Sequence, residues 1–194
     1  MKNVLTLFVL FLGLGVANAQ EKKELTNEET VNYLNKKLSE VNEQWIVENN
    51  GSRQFIKWLN VKNQDSEISI RDTRENRITN DHTCGDWEKE QSYDFNPTQI
   101  SEITDSPLKT EQPIGYVQIK LIAKTAKYRM VFKVIETKND GSNRSCNYWV
   151  NKNDDREFYE YIFIPYLKTD PTNFNKIKKA FEHLKKLSAS DDPF

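Results

Sequence analysis

The chain has 194 residues, of which 29% are charged and 11% are aromatic, and its formal net charge is −1. A protein that binds nucleic acid needs a surplus of basic residues to meet the phosphates, so this balance argues against that class. The many aromatic residues argue against a disordered chain, and the length suits one domain with a substantial core.

The first 19 residues have the three parts of a secretory signal peptide. Lys2 provides a short positive region, residues 4–16 form an almost unbroken apolar run, and an Ala-Asn-Ala sequence follows. Signal peptidase recognises small residues at two of these last positions, so we expect cleavage between Ala19 and Gln20.

A membrane anchor is the alternative interpretation of the apolar run. A helix that spans a bilayer needs about 20 apolar residues, and residues 4–16 are fewer. No later stretch of the sequence approaches that length, so we expect no membrane-spanning segment after cleavage. The sequence therefore predicts a periplasmic or secreted protein whose single globular domain comprises residues 20–194.

Residues 26–45 are predicted to form the first helix. Thr26 or Asn27 can cap its start. Glu28 and Glu29 follow in the first turn, where the helix dipole favours acidic side chains. The apolar residues recur at spacings of three and four and are Val31, Leu34, Leu38, Val41 and Trp45. This narrow stripe favours packing against a sheet, and a short coiled coil is the alternative.

Six segments after this helix have the alternation, or the β-branched and aromatic content, of strands. They comprise residues 53–61, 66–72, 87–95, 114–123, 127–137 and 157–167. The sequence "KTAK" between the fourth and fifth segments suggests a tight connection, and strands joined this closely pair as antiparallel neighbours. Residues 73–86 are polar and are interpreted as a loop.

The last helix is the clearest predicted element. Asp170 caps it, and Pro171 occupies its first position. Its apolar stripe consists of Phe174, Ile177, Phe181, Leu184 and Leu187. Its lysines are Lys176, Lys178, Lys179, Lys185 and Lys186. We expect the stripe to face the core and the lysines to face solvent, and a helix lying on an anionic membrane is the alternative.

The order of these elements predicts an α+β fold. It consists of a twisted antiparallel sheet or partial barrel of about six strands, with an N-terminal and a C-terminal amphipathic helix. The order is similar in outline to that of PH-like barrels. This similarity rests on element order alone, and a fold does not by itself define a function.

The two cysteines lie in related stretches, "DHTCGDW" at 81–87 and "NRSCNYW" at 143–149. Disulfides persist in the oxidising environment outside the cytoplasm, and two cysteines allow one intramolecular pairing. We therefore expect a disulfide between Cys84 and Cys146. It would close a loop of roughly 60 residues and stabilise the fold by about 4 kcal/mol. Two separate structural thiols are an alternative.

Asp81, His82 and Cys84 also permit a chemical interpretation. A Cys–His pair can act as nucleophile and base, and Cys and His are the usual zinc ligands. The alternative function is therefore a small extracytoplasmic hydrolase, or a redox or metal protein, centred on these three residues. The disulfide interpretation assigns no role to His82.

The usual sequence motifs of enzymes are absent, namely the GxSxG elbow, the HExxH motif and a glycine-rich phosphate loop. This favours a non-catalytic exported protein, without cofactor or metal, that acts as a binding or interaction module. A partner protein, a lipid or a small apolar ligand would be held by aromatic residues of the sheet. The candidate residues are Trp58, Tyr116, Tyr128, Tyr159 and Tyr161. The alternative for each is that it fills the core.

Three features together resemble a loose group of short, uncharacterised exported proteins of Bacteroidetes-type bacteria. They are the leader, the segment "YDFNPTQISEI" at 93–103 and the ending "NKIKKAFEHLKKL" at 175–187. In that group a similar helix follows the last strand. The resemblance implies export and this order of elements, and it brings no activity and no catalytic residues.

Overall fold

The computed structural model of the protein describes residues 24–47, 53–64, 67–76, 87–108, 113–134 and 153–190. Within these ranges the helices are α1 (Asn27–Leu38) and α2 (Asn173–Ser190). The strands are β1 (Trp45–Val47), β2 (Arg53–Gln64), β3 (Glu67–Asn76), β4 (Trp87–Phe95), β5 (Ile100–Asp105), β6 (Ile114–Leu121), β7 (Ala126–Val134), β8 (Asn153–Tyr159) and β9 (Tyr161–Leu167). Short 3-10 turns occupy Ser39–Val41 and Pro97–Gln99.

The strands form two antiparallel sheets, so the predicted α+β class is confirmed. The larger sheet has the order β1-β2-β3-β4-β7-β8, and the smaller sheet has the order β5-β6-β9. In the part of the chain that the structure describes, these sheets do not close into a barrel.

Three segments of the chain pass from one sheet into the other. β4 is followed by β5, β6 by β7, and β8 by β9, and the three segments lie side by side in the same order in both sheets. β1, β2 and β3 complete the larger sheet. The described strands are therefore a meander of six chain segments, three of them bent, where the sequence predicts one sheet of about six strands.

The expectation that residues 114–123 and 127–137 pair with each other is wrong. β6 pairs with β5 and β9, whereas β7 pairs with β4 and β8. The connection is a corner rather than a reversal, and the backbone N–H of Ile122 donates to the carbonyl of Gln99 at 2.8 Å. Strands that switch sheets make their corners through such bends.

The predicted last strand, residues 157–167, is also divided at a corner between the two sheets. β8 ends at Tyr159 and β9 begins at Tyr161. The carbonyl of Glu160, between them, accepts from the N–H of Leu121 at 2.8 Å, which joins this corner to the end of β6. The aromatic residues of this segment are therefore divided between the sheets, with Tyr159 in the larger and Tyr161 in the smaller.

The first helix is shorter than predicted because its chain turns before Trp45. Thr26 and Glu29 form a capping box. The N–H of Thr26 donates to Glu29 Oε2 at 2.7 Å, and the N–H of Glu29 donates to Thr26 Oγ1 at 3.2 Å. The helix ends at Leu38, and Glu43 then adopts a left-handed backbone conformation with φ of 63°. Trp45 consequently belongs to β1 and not to the apolar stripe of the helix.

Helix α1 is attached to the edge of β2 by an asparagine. The N–H of Val61 donates to Asn35 Oδ1 at 2.6 Å, and Asn35 Nδ2 donates to the carbonyl of Val61 at 2.8 Å. Asn42 Oδ1 accepts from the N–H of Leu59 at 3.0 Å. Because β1 has only three residues, these side chains replace part of the missing strand partner.

Helix α2 buries the predicted apolar side and uses several lysines for contacts within the protein. Its buried residues include Ile177, Phe181 and Leu184. Lys185 Nζ donates to the carbonyl of Ile100 at 2.5 Å. Ion pairs join Lys176 to Asp170, Lys178 to Glu182 and Lys186 to Glu24. Among the residues described, no helix combines the length and the apolar character that crossing a membrane requires.

The two faces of the larger sheet differ in environment. Ile68 and Ile70 of β3 are buried in the core together with residues of both helices and both sheets, and we call the face that carries them the inner face. Ser69, Arg71 and Thr73 alternate with them and lie on the other side, which we call the outer face.

Candidate functional site

The inner face of β3 carries a buried ion pair next to the aliphatic residues of the core. Asp72 and Arg74 continue the row of Ile68 and Ile70, and the two charged residues are only 3% and 5% exposed. Arg74 Nε donates to Asp72 Oδ2 at 2.6 Å. Residues two apart on a strand share a face, so the strand itself places the two charges side by side.

The prediction that residues 73–86 form a polar loop is therefore wrong for residues 73–76. β3 extends to Asn76, which pairs with Gln54 on one side and Trp87 on the other. The polar composition was misleading because Arg74, in this segment, is paired with Asp72 and can therefore be buried. Residues 77–86 lie outside the described ranges.

Side chains from three other strands complete the surroundings of the ion pair. Arg74 Nη1 donates to Gln54 Oε1 at 3.1 Å, and Gln91 Nε2 donates to Asp72 Oδ2 at 3.0 Å. The hydroxyl of Tyr116 hydrogen-bonds the guanidinium of Arg74. Asp72 Oδ1 is buried and has no hydrogen-bond partner among the described residues.

The guanidinium of Arg74 keeps its charge although the residue is buried. Burial acts to lower the pKa of Arg74, but the carboxylate of Asp72 and the hydroxyl of Tyr116 raise it by more. The net shift of the pKa is upward. A buried charge that is paired and hydrogen-bonded in this way is a fixed electrostatic feature of the inner face.

Three tyrosines form a cluster in the neighbouring rows of the same face. Tyr93 and Tyr128 are directly opposite each other in β4 and β7, and their ring centroids are 4.9 Å apart. Tyr159 lies 4.7 Å from Tyr128 and 6.4 Å from Tyr93. These separations are within the favourable range for aromatic pairs. We call Tyr93, Tyr128 and Tyr159 the tyrosine cluster.

The tyrosine cluster and the ion pair are adjacent. Tyr93 is opposite Ile70, and Gln91 is opposite Asp72, so the two rows are separated by one strand repeat of about 7 Å. Burial raises the pKa of Tyr93, its neighbour Tyr128 raises it further, and Arg74 opposes them. The cluster and the ion pair together are called the inner-face site.

The structure divides the five aromatic candidates into three places. Tyr128 and Tyr159 belong to the tyrosine cluster, and Tyr116 reaches the ion pair. Tyr161 lies in the smaller sheet beneath Lys120, whose Nζ is 5.7 Å from the ring centroid. Trp58 is opposite Thr73 and therefore lies on the outer face.

The sequence interpretation missed Tyr93, Asp72 and Arg74. Tyr93 alternates with Phe95, and this period of two indicates a shared strand face, but the surrounding polar residues hide the pattern. Asp72 and Arg74 have the same spacing within an alternating segment. The alternation of Ile68, Ile70, Asp72 and Arg74 was the available signal.

The cysteine-centred predictions fall elsewhere. Asp81, His82, Cys84 and Cys146 all lie outside the described residues, so the disulfide and the alternative chemical site stay predictions. Within the described ranges, no group of three His, Cys, Asp or Glu side chains is arranged to hold a metal ion.

Comparison of the chain with protein-family models, with curated proteins and with solved structures finds no match.

Proposed function

We propose that the protein is an exported, non-catalytic binding module that holds a small, mostly apolar ligand against the inner-face site. The observation that carries this proposal is the contact of three half-buried tyrosine rings beside a buried ion pair. Tyrosine rings offer a large contact area with few rotatable bonds, so a ligand that covers them loses little side-chain entropy.

The ionisable groups of the inner-face site favour binding over catalysis. Asp72 Oδ2 is occupied by Arg74 and Gln91, which hold the carboxylate in one orientation. The raised pKa of Tyr93 keeps its hydroxyl protonated at neutral pH. A general acid or base needs a pKa near the working pH, and the raised pKa of Tyr93 lies far above it.

The same groups indicate the chemistry of the ligand. The tyrosine cluster suits a planar apolar body, and Tyr hydroxyls can donate or accept a hydrogen bond. Asp72 Oδ1 has unused acceptor capacity at the adjoining row, which suits one donor group at the end of the ligand. A planar apolar molecule with a single hydroxyl or amine fits both features.

A fluorescent probe of this shape tests the proposal. 1-Aminoanthracene has a planar apolar body and one amine, and its fluorescence should rise when the mature protein binds it. Tyr128→Leu and Tyr159→Leu should each weaken binding by about tenfold or more. Tyr161→Leu is the matched control, because that tyrosine lies away from the cluster, and it should leave the affinity unchanged.

Absence of binding, or equal loss in all three variants, would contradict the inner-face site as the place of binding. Export is tested separately by expressing the full chain in a bacterium. The mature protein recovered outside the cytoplasm should begin at Gln20, and retention of residues 1–19 would contradict export by signal cleavage.

A further inference from the structure

A β-bulge in β2 brings two aromatic side chains onto the outer face. Phe55 is opposite Glu75 and Trp58 is opposite Thr73, with a shift of register between Ile56 and Trp58. In a regular strand, residues three apart face opposite sides, so Phe55 and Trp58 would be separated by the sheet. Bulges are frequent next to functional sites, where they change the direction of a side chain.

Trp45 extends this aromatic surface across the neighbouring strand. It is directly opposite Phe55 in β1, and the ring centroids are 5.2 Å apart with an interplanar angle of 57°. Trp45, Phe55 and Trp58 are each half-buried. We call these three residues the outer aromatic patch.

Polar atoms with unused hydrogen-bonding capacity lie beside Trp58. Thr73, opposite Trp58, is 3% exposed, and its Oγ1 has no partner in the described part of the chain. The next row pairs Asn60 with Arg71, and Asn60 Oδ1 and Arg71 Nε likewise have no partner there. Polar atoms buried without partners reduce stability. Three of them close together on one face of the sheet therefore favour a role in binding a ligand.

The charges around the patch largely cancel. Lys57, the residue of the bulge, lies 2.8 Å from the carboxylates of both Glu75 and Glu88. Arg71 and Glu90 add one charge of each sign to the adjoining rows. A surface without a large surplus of either sign suits a neutral polar ligand better than an ion.

We propose that the outer face binds a neutral saccharide, with a pyranose ring over Trp58. One face of a pyranose ring carries C–H groups that pack against an indole, and its rim carries hydroxyls that both donate and accept hydrogen bonds. Thr73, Asn60 and Arg71 supply a hydroxyl, an amide and a guanidinium at the edge of the ring. This site is on the opposite side of the sheet from the inner-face site and is independent of it.

Calorimetric titration of the mature protein tests this site with soluble hexasaccharides of glucose, mannose and N-acetylglucosamine. At least one of them should bind, and Trp58→Ala and Asn60→Ala should each weaken binding by about tenfold or more. Asn60→Ala keeps the aromatic patch, so it separates loss of binding from loss of folding. Tyr128→Leu, on the inner face, should leave saccharide binding unchanged.

Three outcomes would overturn the saccharide site. The first is that none of the hexasaccharides binds to the folded protein. The second is that binding survives both Trp58→Ala and Asn60→Ala, or is lost in Tyr128→Leu. The third is a stable dimer in sedimentation velocity that Trp58→Ala dissociates, because a second copy of the chain would then cover the patch.

Discussion

Asn173, the first residue of α2, donates through Nδ2 to Glu40 Oε2 at 2.7 Å, although 133 positions separate the two residues. The same amide nitrogen donates to the carbonyl of Leu167 at 2.9 Å. Asn173 is fully buried. A single side chain thus joins the start of α2, the end of β9 and the 3-10 turn that follows α1.

Replacement of Asn173 by Ala should destabilise the protein by about 1–3 kcal/mol, because two partly buried hydrogen bonds are lost. Urea denaturation at neutral pH measures this change. Asn175→Ala is the matched control, since Asn175 is exposed on the same helix and its replacement should have little effect. Equal effects of the two substitutions would show that Asn173 does not hold the elements together.

The Glu40 contact also predicts an acid dependence. Burial acts to raise the pKa of Glu40, but hydrogen bonds from Lys37 and Asn173 lower it by more, so the pKa lies below its ordinary value. The stability from this group is present above the unfolded pKa, about 4.5, and is lost as the pH falls through the folded pKa. Asn173→Ala should lose less stability than the wild type between neutral pH and this acid range, and a parallel loss would contradict the link.

Breaking the buried ion pair should be far more costly than breaking an exposed one. Arg74→Met leaves the buried Asp72 without its partner, and we expect a loss of about 3–5 kcal/mol in the free energy of unfolding. Lys178→Met removes a pair 3.9 Å long on the surface of α2 and should cost less than about 1 kcal/mol. Chemical denaturation of both variants measures the difference, and similar losses would count against a buried, desolvated pair.

Tyr93 and Tyr166 should titrate at a higher pH than an unperturbed tyrosine, whose pKa is about 10. Burial raises the pKa of both; Tyr128 adds to the shift of Tyr93, and a hydrogen bond to Asp105 adds to that of Tyr166. Stability from these groups is present below the unfolded pKa of about 10 and is lost as the pH rises through the folded values. Absorbance titration should show a late phase that diminishes in Tyr93→Phe and Tyr166→Phe. A titration curve that both substitutions leave unchanged would oppose this assignment.

Gly115→Ala should destabilise the smaller sheet by about 1–3 kcal/mol through overpacking. A Cβ at this position would meet Lys168 Cε and would lie 2.6 and 2.8 Å from Cε1 and Cζ of Tyr166. The side chain of Lys168 can move, but the ring of Tyr166 is held because its hydroxyl donates a hydrogen bond to Asp105 Oδ1 at 3.1 Å. Thermal unfolding of Gly115→Ala in the wild type and in Tyr166→Ala tests this cause. The cost should fall when the ring is removed, and an unchanged cost would place the strain elsewhere.

The predicted disulfide has its own test. Cys84 and Cys146 should resist thiol labelling in the native mature protein and react only after reduction, and the native mass should be two hydrogens lower. Cys146→Ser should lose about 4 kcal/mol of stability. Labelling of Cys84 before reduction would show that no disulfide is present, and it would favour the alternative site that includes Asp81 and His82.

Residue periodicity predicted the elements better than it predicted their partners. The stripe of α2 and the alternation of β3 and β6 are local properties, because they depend on which side of one element is buried. The "KTAK" connection was misinterpreted because a short polar link looks the same whether the chain reverses or bends into a second sheet. Only the hydrogen bonds of β6 and β7 with other strands distinguish the two.

The sequence by itself determined the α+β class, the two amphipathic helices and the aromatic residues available for binding, because hydrophobic period and capping residues act within one segment. Tertiary structure decided which aromatics share a surface. Register placed Tyr128 against Tyr93, a corner placed Tyr159 beside them, and one bulge turned Trp58 to the outer face. These relationships depend on pairing between distant strands, and a shift of one residue in register would reverse each of them.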